Sequence, residues 1–210
     1  MINVKIKEVD LCFNTNEKVF SPSGVDKGTL AMLSKVELKK DDKVLDIGCG
    51  YGVVGILAAK LIGSSHVSMC DVSEEAVALS KENAKLNNVS DINIIQSDGF
   101  DSIGDNDNFT LILSNPPYHT DFKVAKGFIE KGFKHLNIGG KMIMVTKRLD
   151  WYKNKLISTF GGVKIYEIDG YYVFISEKRM KSKVKKVKNT NVLSKKLQHK
   201  YKYKKRNTRM

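Results

Sequence analysis

The 210-residue sequence has few of the residues that mark disulfide-linked, metal-binding or membrane-spanning proteins. It contains three cysteines without CxxC spacing, which argues against a disulfide framework or a thiolate zinc site. Its four histidines also lack metal-ligand spacing, so no metal site is predicted. No apolar run approaches the roughly 18 residues of a membrane-spanning helix. The first ten residues lack the apolar core of a secretory signal. These absences predict a reduced, soluble, cytoplasmic protein without a membrane partner.

Acidic residues are missing from the C-terminal end of the chain. Residues 178–210 contain 15 Lys and Arg and no Asp or Glu, whereas residues 1–177 contain 21 basic and 23 acidic side chains. The net charge of +13 therefore comes from a slightly acidic body with a strongly basic tail. So charged a segment has too little apolar surface for a core, and it is predicted to be disordered. It could be a solvated tail, or it could neutralise RNA phosphates while Tyr201 and Tyr203 stack on unpaired bases.

From residue 43 onward, short apolar runs alternate with helical patterns. The runs that predict strands are 43–47, 66–70, 92–96, 109–114 and 141–145, and the patterns that predict helices are 53–62, 74–87 and 124–136. Two further β-rich runs, joined by Asp169 and Gly170, predict a hairpin. The sequence therefore predicts an α/β, doubly wound, mostly parallel sheet of seven strands, in which the C-terminal hairpin supplies one antiparallel strand.

The first 42 residues are predicted to extend the same domain at its N-terminus. Apolar and polar residues alternate over 2–6, which predicts a strand, and residues 14–16 have the composition of a turn. A short extended piece is predicted at 18–20, and apolar residues at helical spacing follow it. The predicted organisation is one domain over 1–177 and a tail over 178–210.

A glycine loop lies where the first parallel strand meets its helix, at residues 46–52 (DIGCGYG). Ligands of such sheets bind at the carboxyl ends of strands, where the strand order reverses. Gly50, Gly52 and Gly55 satisfy GxGxxG, and Asp71 lies 21 residues beyond Gly50, as in a dinucleotide site. S-adenosylmethionine fits the same features. Asp46 favours it, because a carboxylate there can bind the methionine ammonium but would repel a pyrophosphate. The remaining alternative is a glycine turn that serves only packing.

Two acidic residues follow the next two strands. Asp71 could accept both ribose hydroxyls of a cofactor, or it could cap the following helix in competition with Ser73. Asp98 could accept the adenine amino group, or it could be a solvated loop carboxylate.

Residues 115–118 (NPPY) directly follow the strand 109–114, which a sheet of this type places beside the glycine loop. The side-chain oxygen of Asn115 and the carbonyl of Pro116 can accept the N–H bonds of an amine whose lone pair attacks a methyl group. Adjacent prolines hold these acceptors in place before the reaction, and Tyr118 offers a face for stacking. No strong base is needed. The alternative is an ordinary Asn-Pro turn.

The glycine loop followed by NPPY resembles class I S-adenosylmethionine-dependent methyltransferases that act on amino groups. Residues 19–33 (VFSPSGVDKGTLAML) are similar to the segment before the glycine loop in the small-methyltransferase-domain family, which includes bacterial small-subunit rRNA guanine-N2 methyltransferases. The resemblance covers about residues 1–179. It implies a Rossmann-like methyltransferase fold with S-adenosylmethionine and no metal. Full-length rRNA enzymes of this type usually carry an additional N-terminal domain that these 210 residues do not include.

Motifs and resemblance together define three sets of predicted site residues. The predicted cofactor-binding residues are Gly28, Thr29, Asp46, Gly48, Cys49, Gly50, Asp71, Val72, Asp98, Gly99 and Phe100. The predicted catalytic residues are Asn115, Pro116, Pro117 and Tyr118. The predicted substrate-binding residues are Phe20, Lys147, Arg148, Tyr201 and Tyr203. By resemblance, Phe20, Gly28 and Thr29 would line the cofactor and base pocket. Lys147 and Arg148 could meet phosphate or form an exposed basic pair.

These features predict an enzyme that methylates an exocyclic amine in structured RNA, with guanine N2 of ribosomal RNA as the expected acceptor, in free rRNA or in a ribosomal assembly intermediate. A protein glutamine-N5 methyltransferase is the alternative within enzymes, because NPPY also suits a planar amide, although the basic tail disfavours it. An RNA-binding protein with a disused cofactor site is the alternative of another class. A nicotinamide-dependent reductase is the weakest interpretation.

Overall fold

The computed structural model describes residues 1–17, 19, 21–117 and 122–179. Of the predicted site residues, Phe20, Tyr118, Tyr201 and Tyr203 lie outside the described residues. Within the described ranges, no helix is long and apolar enough to cross a membrane.

The described residues form strands and helices in the predicted alternation. The strands are β1 (Ile2–Ile6), β2 (Val9–Phe13), β3 (Val44–Ile47), β4 (Val67–Asp71), β5 (Asn93–Gln96), β6 (Phe109–Ser114), β7 (Leu136–Thr146), β8 (Lys164–Ile168) and β9 (Tyr171–Glu177). The helices are α1 (Lys27–Leu33), α2 (Val53–Ile62), α3 (Glu74–Leu86), α4 (Phe122–His135) and α5 (Leu149–Phe160), with a single 3-10 turn at Ser64–His66.

Seven strands form one sheet in the order β5-β4-β3-β6-β7-β9-β8. Strand β9 runs antiparallel to its neighbours β7 and β8, while β3, β4, β5, β6 and β7 pair in parallel. The chain leaves β3 for β4 on one side and returns to β6 on the other side, so the strand order reverses between β3 and β6. The predicted fold class is confirmed, and the reversal marks the sheet edge where a ligand is expected.

Two hairpins show how far turn chemistry can be predicted. Asp169 and Gly170 join β8 and β9 with φ values of 50° and 76°, so the predicted Asp-Gly turn is confirmed. Lys7 and Glu8 join β1 and β2 with φ values of 51° and 63°, although neither residue favours this left-handed conformation. The predicted turn at 14–16 instead follows the end of β2. Pairing along all five residues of β1 offsets the strain of an unfavourable turn sequence.

Asn83 of α3 and Asn87, the C-cap of the same helix, attach the N-terminal hairpin to the main body. The backbone N–H of Cys12 donates to Asn87 Oδ1 (3.0 Å), and Asn87 Nδ2 donates to the Cys12 carbonyl (2.6 Å). Asn83 makes the same pair of bonds with the backbone of Asn14, at 2.8 and 3.0 Å. Both side chains are almost completely buried. They satisfy backbone groups of the hairpin strand as a neighbouring strand would.

The sheet has an apolar layer on each face. Helices α1, α2 and α3 pack with the β1–β2 hairpin on one face, and α4 and α5 pack on the other. All four residues of β3 are buried, as expected for a central parallel strand covered on both sides. Asp46 is the one polar residue in that strand, so its burial calls for a specific role.

The predicted boundary between body and tail falls at the end of β9. Lys178, the first residue of the predicted tail, is buried, and its Nζ donates to the carbonyls of Lys134 and Leu136 at the end of α4. Residues 180–210 lie outside the described residues, so the division into domain and tail stays a prediction.

Substitution of glycine by alanine should have opposite effects on stability at two positions, Gly55 of α2, which packs on β4, and Gly127 of α4. A Cβ at Gly55 would lie 2.4 Å from Cγ of the buried Met69, whereas a Cβ at Gly127 would meet no atom within 4 Å. We expect Gly55→Ala to destabilise the protein by about 1–3 kcal/mol through overpacking. Gly127→Ala should stabilise it by about 0.5–1 kcal/mol, because alanine favours a helix. Urea unfolding of both variants measures this, and changes of the same sign would contradict the packing described.

Candidate functional site

A cavity of about 400 Å³ lies at the carboxyl ends of β3, β4 and β6, where the strand order reverses. Its wall comes from the loops after these strands and after β5, from α4, from the starts of α1, α2 and α3, and from the segment before α1. The predicted site residues that line it are Thr29, Asp46, Gly48, Cys49, Gly50, Asp71, Val72, Asp98, Gly99, Asn115 and Pro117. The structure therefore brings the predicted cofactor loop and the described part of NPPY into one cavity.

Three predicted residues pack behind this wall. Gly28 lies in the first turn of α1, where a Cβ would come within 2.7 Å of the Tyr171 ring. Phe100 is buried and stacks on His135, with 4.9 Å between ring centroids. Pro116 is also buried, and its neighbour Pro117 is exposed at the cavity. These positions are adjacent to the cavity, and the predicted roles of the three residues stay predictions.

The predicted basic pair follows β7 at the same edge of the sheet. Lys147 and Arg148 are both exposed. The Lys147 ammonium lies 4.8 Å from the Tyr171 ring centroid, and the Arg148 guanidinium lies 5.0 Å from that of Phe122. Each cation thus lies over an aromatic ring, close to the end of β6 that NPPY follows. There the two cations could meet a large anionic ligand.

Asp71 holds the glycine loop through its carboxylate. Its Oδ2 accepts the Gly50 N–H at 2.9 Å, and its Oδ1 accepts the Ser73 N–H at 3.0 Å. Ser73 caps α3, since its hydroxyl accepts the Ala76 N–H, so Asp71 is not the cap of that helix. Each carboxylate oxygen can accept more than one hydrogen bond. Asp71 can therefore support the loop and still accept two ligand hydroxyls.

Gly50 suits this arrangement because it has no side chain. Its φ of +57° is one that larger residues adopt only with strain, and a Cβ there would point into open space at the cavity. A ligand can therefore approach the loop backbone closely. The N-terminus of α2 follows directly and favours a negatively charged ligand group.

Asp46 carries the most perturbed carboxyl group of the cavity. It is 2% exposed, and its Oδ2 accepts the Gly55 N–H at 2.9 Å. Burial raises the pKa of this carboxyl from 3.8 to about 7, and the charge of Asp71 adds to the rise, while the bond from Gly55 opposes it. A cationic ligand group beside Asp46 would restore its ordinary charge. The site therefore fits an ammonium better than an anion at this position.

Two thiols near the glycine loop have no nucleophilic character at neutral pH. Burial, together with the charge of Asp46, raises the pKa of Cys49 well above its usual range and that of Cys70 to about 12. A protonated thiol is a poor nucleophile. Cys49 therefore contributes a small apolar surface to the cavity rather than covalent chemistry.

The end of β6 is fixed to the end of β3. The Ser114 hydroxyl donates to the Ile47 carbonyl at 3.0 Å, and Leu113 pairs with Asp46 across the two strands. Asn115 follows at once, and its Nδ2 donates to Asp26 Oδ2 and Thr29 Oγ1, each at 2.9 Å. Because a carboxylate only accepts hydrogen bonds, the group that faces Asp26 must be the amide NH₂. The orientation of the Asn115 amide is thereby defined.

Sequence reasoning missed half of the residues that line the cavity, among them Asp26 and Phe128. Asp26 carries a recognisable signal, since it precedes a helix and accepts the Thr29 N–H as its N-cap. Its contact with Asn115, 89 residues away, has no signal in the sequence. Phe128 of α4 lines the cavity next to Gly48 and Gly99, and an apolar residue on a helix gives no sign of this position. Among the described residues, no group of three or more His, Cys, Asp or Glu could hold a metal ion.

Comparison with known proteins relates this geometry to a family. A family model described as "Methyltransferase small domain" matches residues 10–176. The protein YbxB of Bacillus subtilis, described as uncharacterized, is 32% identical over 179 residues, which cover 83% of this chain and 89% of YbxB. Ribosomal RNA small subunit methyltransferase C of Cronobacter sakazakii is 34% identical over 167 residues, which cover 78% of this chain and 48% of that protein. This chain thus spans about half the length of the rRNA methyltransferases that it matches.

A solved structure has the same fold. The T. thermophilus 16S rRNA N2 G1207 methyltransferase (RsmC), in complex with AdoMet and guanosine, superposes with a TM-score of 0.79 at 24% identity, over 85% of this chain and 50% of that chain. The sequence matches and the structural superposition both relate this chain to methyltransferases. The chain therefore belongs to the methyltransferase small domain family, which confirms the predicted enzyme class of S-adenosylmethionine-dependent methyltransferases.

Proposed function

We propose that the protein transfers a methyl group from S-adenosylmethionine to an exocyclic amine, and that guanine N2 of ribosomal RNA is the acceptor. One observation carries the proposal. The amide of Asn115 lies in the same cavity as Asp46 and Asp71, so an amine acceptor and a sulfonium cofactor can meet there.

The cavity offers a partner for each polar part of the cofactor. Asp46 would bind the methionine ammonium, and the N–H groups at the start of α2 would favour its carboxylate. Asp71 would accept the ribose hydroxyls, and Asp98 would accept the adenine amino group. S-adenosylmethionine supplies the electrophilic methyl group.

The acceptor amine needs hydrogen-bond acceptors that leave its lone pair directed at the methyl group. The Asn115 oxygen and the Pro116 carbonyl would accept its two N–H bonds, and Tyr118 would stack on the base. The nitrogen lone pair would form the new N–C bond as the S–CH₃ bond breaks, which would release S-adenosylhomocysteine. The methylated nitrogen then loses its proton to solvent. No strong base is required at the reacting nitrogen.

Three features support RNA as the substrate. Residues 178–210 carry 15 positive charges and no negative charge, which suits phosphate neutralisation. Lys147 and Arg148 lie exposed at the cavity edge of the sheet. Several relatives at 32–34% identity are named ribosomal RNA small subunit methyltransferase C, and the T. thermophilus structure contains guanosine. An rRNA or ribosomal assembly intermediate as partner would agree with the predicted cytoplasmic location.

Methyl transfer to purified ribosomal RNA and to ribosomal particles tests this proposal. The protein is incubated with isotope-labelled S-adenosylmethionine, and the RNA is digested to nucleosides for mass analysis. We expect labelled N2-methylguanosine. Labelled N5-methylglutamine in protein would establish the alternative enzyme instead. RNA binding without any methyl transfer would establish an RNA-binding protein.

Replacement of Asn115 should separate catalysis from cofactor binding. We expect Asn115→Ala to reduce kcat by about 10²–10³-fold, the usual loss when one preorganised transition-state partner is removed. Its affinity for S-adenosylhomocysteine should stay close to that of the wild type, measured by calorimetry. Asn106→Ala, in the exposed turn between β5 and β6, is the matched control and should retain full turnover. An Asn115→Ala protein with normal kcat would refute the role of Asn115.

Burial of Asp46 should lower the free energy of unfolding, and this loss should grow as pH rises. A carboxyl whose pKa is raised from 3.8 to about 7 binds more protons in the folded than in the unfolded state, so stability falls as pH rises through that window. In the ligand-free protein, Asp46→Asn should therefore raise the free energy of unfolding at about pH 8, by up to about 4 kcal/mol for such a shift. At about pH 4 the gain should be close to zero.

Chemical denaturation of both proteins across this pH range measures the effect. The exposed Asp91→Asn variant is the control and should change stability little at any pH. A gain from Asp46→Asn that does not grow with pH would contradict the buried, raised carboxyl.

A further inference from the structure

We propose that Asp26 is a positioning residue for the methyl transfer: its carboxylate holds the NH₂ group of the Asn115 amide, so that the amide oxygen is turned toward the acceptor amine. The inference rests on the proposed amine methylation. Asp26 would then affect the reaction in addition to capping the N-terminus of α1.

One carboxylate oxygen of Asp26 holds two groups. Asp26 Oδ2 accepts the Thr29 N–H at 2.9 Å and the Asn115 Nδ2–H at 2.9 Å. The Thr29 hydroxyl oxygen lies 2.9 Å from the same Asn115 nitrogen, and Thr29 is buried. The first turn of α1 therefore contacts the NPPY element directly, although the two segments are 89 residues apart in sequence.

Only one of these two partners determines which way the amide faces. A threonine hydroxyl can donate or accept, so Thr29 alone would tolerate either orientation of the Asn115 amide. A carboxylate accepts only, so Asp26 requires the NH₂ group on its side. The reversed amide would present N–H donors to the acceptor amine, where they would bond to its lone pair and hinder attack on the methyl group. Asp26 thus selects the productive orientation.

Gly28 shows that the start of α1 leaves room for this contact. A Cβ at position 28 would lie 2.8 Å from Asp26 Oδ2 and 2.7 Å from the Tyr171 ring. Any larger residue would displace the carboxylate or the ring. The absence of a side chain at Gly28 therefore keeps Asp26 against Asn115.

The capping task and the positioning task can be separated by substitution. Serine is as good an N-cap as aspartate, but its hydroxyl replaces the carboxylate and reaches less far from the backbone. Asp26→Ser should keep the bond to the Thr29 N–H and lose the bond to Asn115. Asp42→Ser is a matched control, because Asp42 also accepts one local N–H, from Lys39, and one distant donor, the Thr110 hydroxyl, outside the cavity.

The test compares steady-state methylation by five proteins: the wild type, three single variants (Asp26→Ser, Asp42→Ser and Asn115→Ala) and the double variant Asn115→Ala/Asp26→Ser. We expect Asp26→Ser to lower kcat by about 10-fold or more, as for a misplaced catalytic group, with KM for RNA, affinity for S-adenosylhomocysteine and melting temperature near the wild type. Asp42→Ser should leave kcat unchanged. In the Asn115→Ala background, Asp26→Ser should cause no further loss, because Asp26 acts through Asn115.

Three results would overturn the proposal. They are an unchanged kcat in Asp26→Ser, a loss that multiplies with that of Asn115→Ala, and an equal loss in Asp42→Ser. If the serine variant is unstable, Asp26→Asn replaces it, since asparagine retains the size and the cap but permits both amide orientations. A wild-type protein that methylates no amine would overturn this inference together with the proposed function, whereas an active wild type with an active Asp26→Ser overturns the inference alone.

Discussion

Two buried or half-buried carboxylates that accept backbone N–H groups shape the whole cavity. Asp71 holds Gly50, and Asp46 holds Gly55, so the segment between β3 and α2 is fixed from both sides. In the proposed function, these two carboxylates would face the ammonium and the ribose hydroxyls of S-adenosylmethionine. Burying the charged carboxylate of Asp46 costs free energy, and its pKa rises to about 7 for that reason. An interaction that destabilises the free protein at neutral pH is expected at a binding site, where the ligand offsets the cost.

The N-terminal extension completes the site. Asn83 ties the β1–β2 hairpin to α3 and also donates to the carbonyl of Tyr51 in the glycine loop, at 2.9 Å. The Tyr51 hydroxyl donates in turn to the Gly24 carbonyl at 3.3 Å, just before α1. Asp26 then reaches Asn115. The segment before β3 thus links the glycine loop to the NPPY element, so the first 42 residues contribute to the cavity as well as to the core.

Local patterns in the sequence predicted most of the strands and helices and about half of the residues that line the cavity. Alternating strand and helix patterns, the Asp169-Gly170 turn and the Ser73 cap each depend on residues close in sequence, where the physical preference acts directly. The turn at Lys7 and Glu8 was not predictable, because strand pairing overrides their turn preference. The contacts of Asn83 with Asn14 and of Asp26 with Asn115 join residues that are 69 and 89 positions apart, so only the folded chain reveals them.

The central claim, that Asp46 binds the ammonium of S-adenosylmethionine in this cavity, is tested most directly by calorimetric titration with S-adenosylhomocysteine, which carries the same ammonium. Titrations from about pH 6 to about pH 8, in buffers of different ionisation enthalpy, count the protons exchanged on binding. We expect binding with release of about half a proton at pH 7 and close to one proton at about pH 6, because the ammonium requires the charged carboxylate, and an affinity that falls as pH drops below 7. NADH should not bind. Proton-independent binding, or binding of NADH instead of S-adenosylhomocysteine, would contradict the claim.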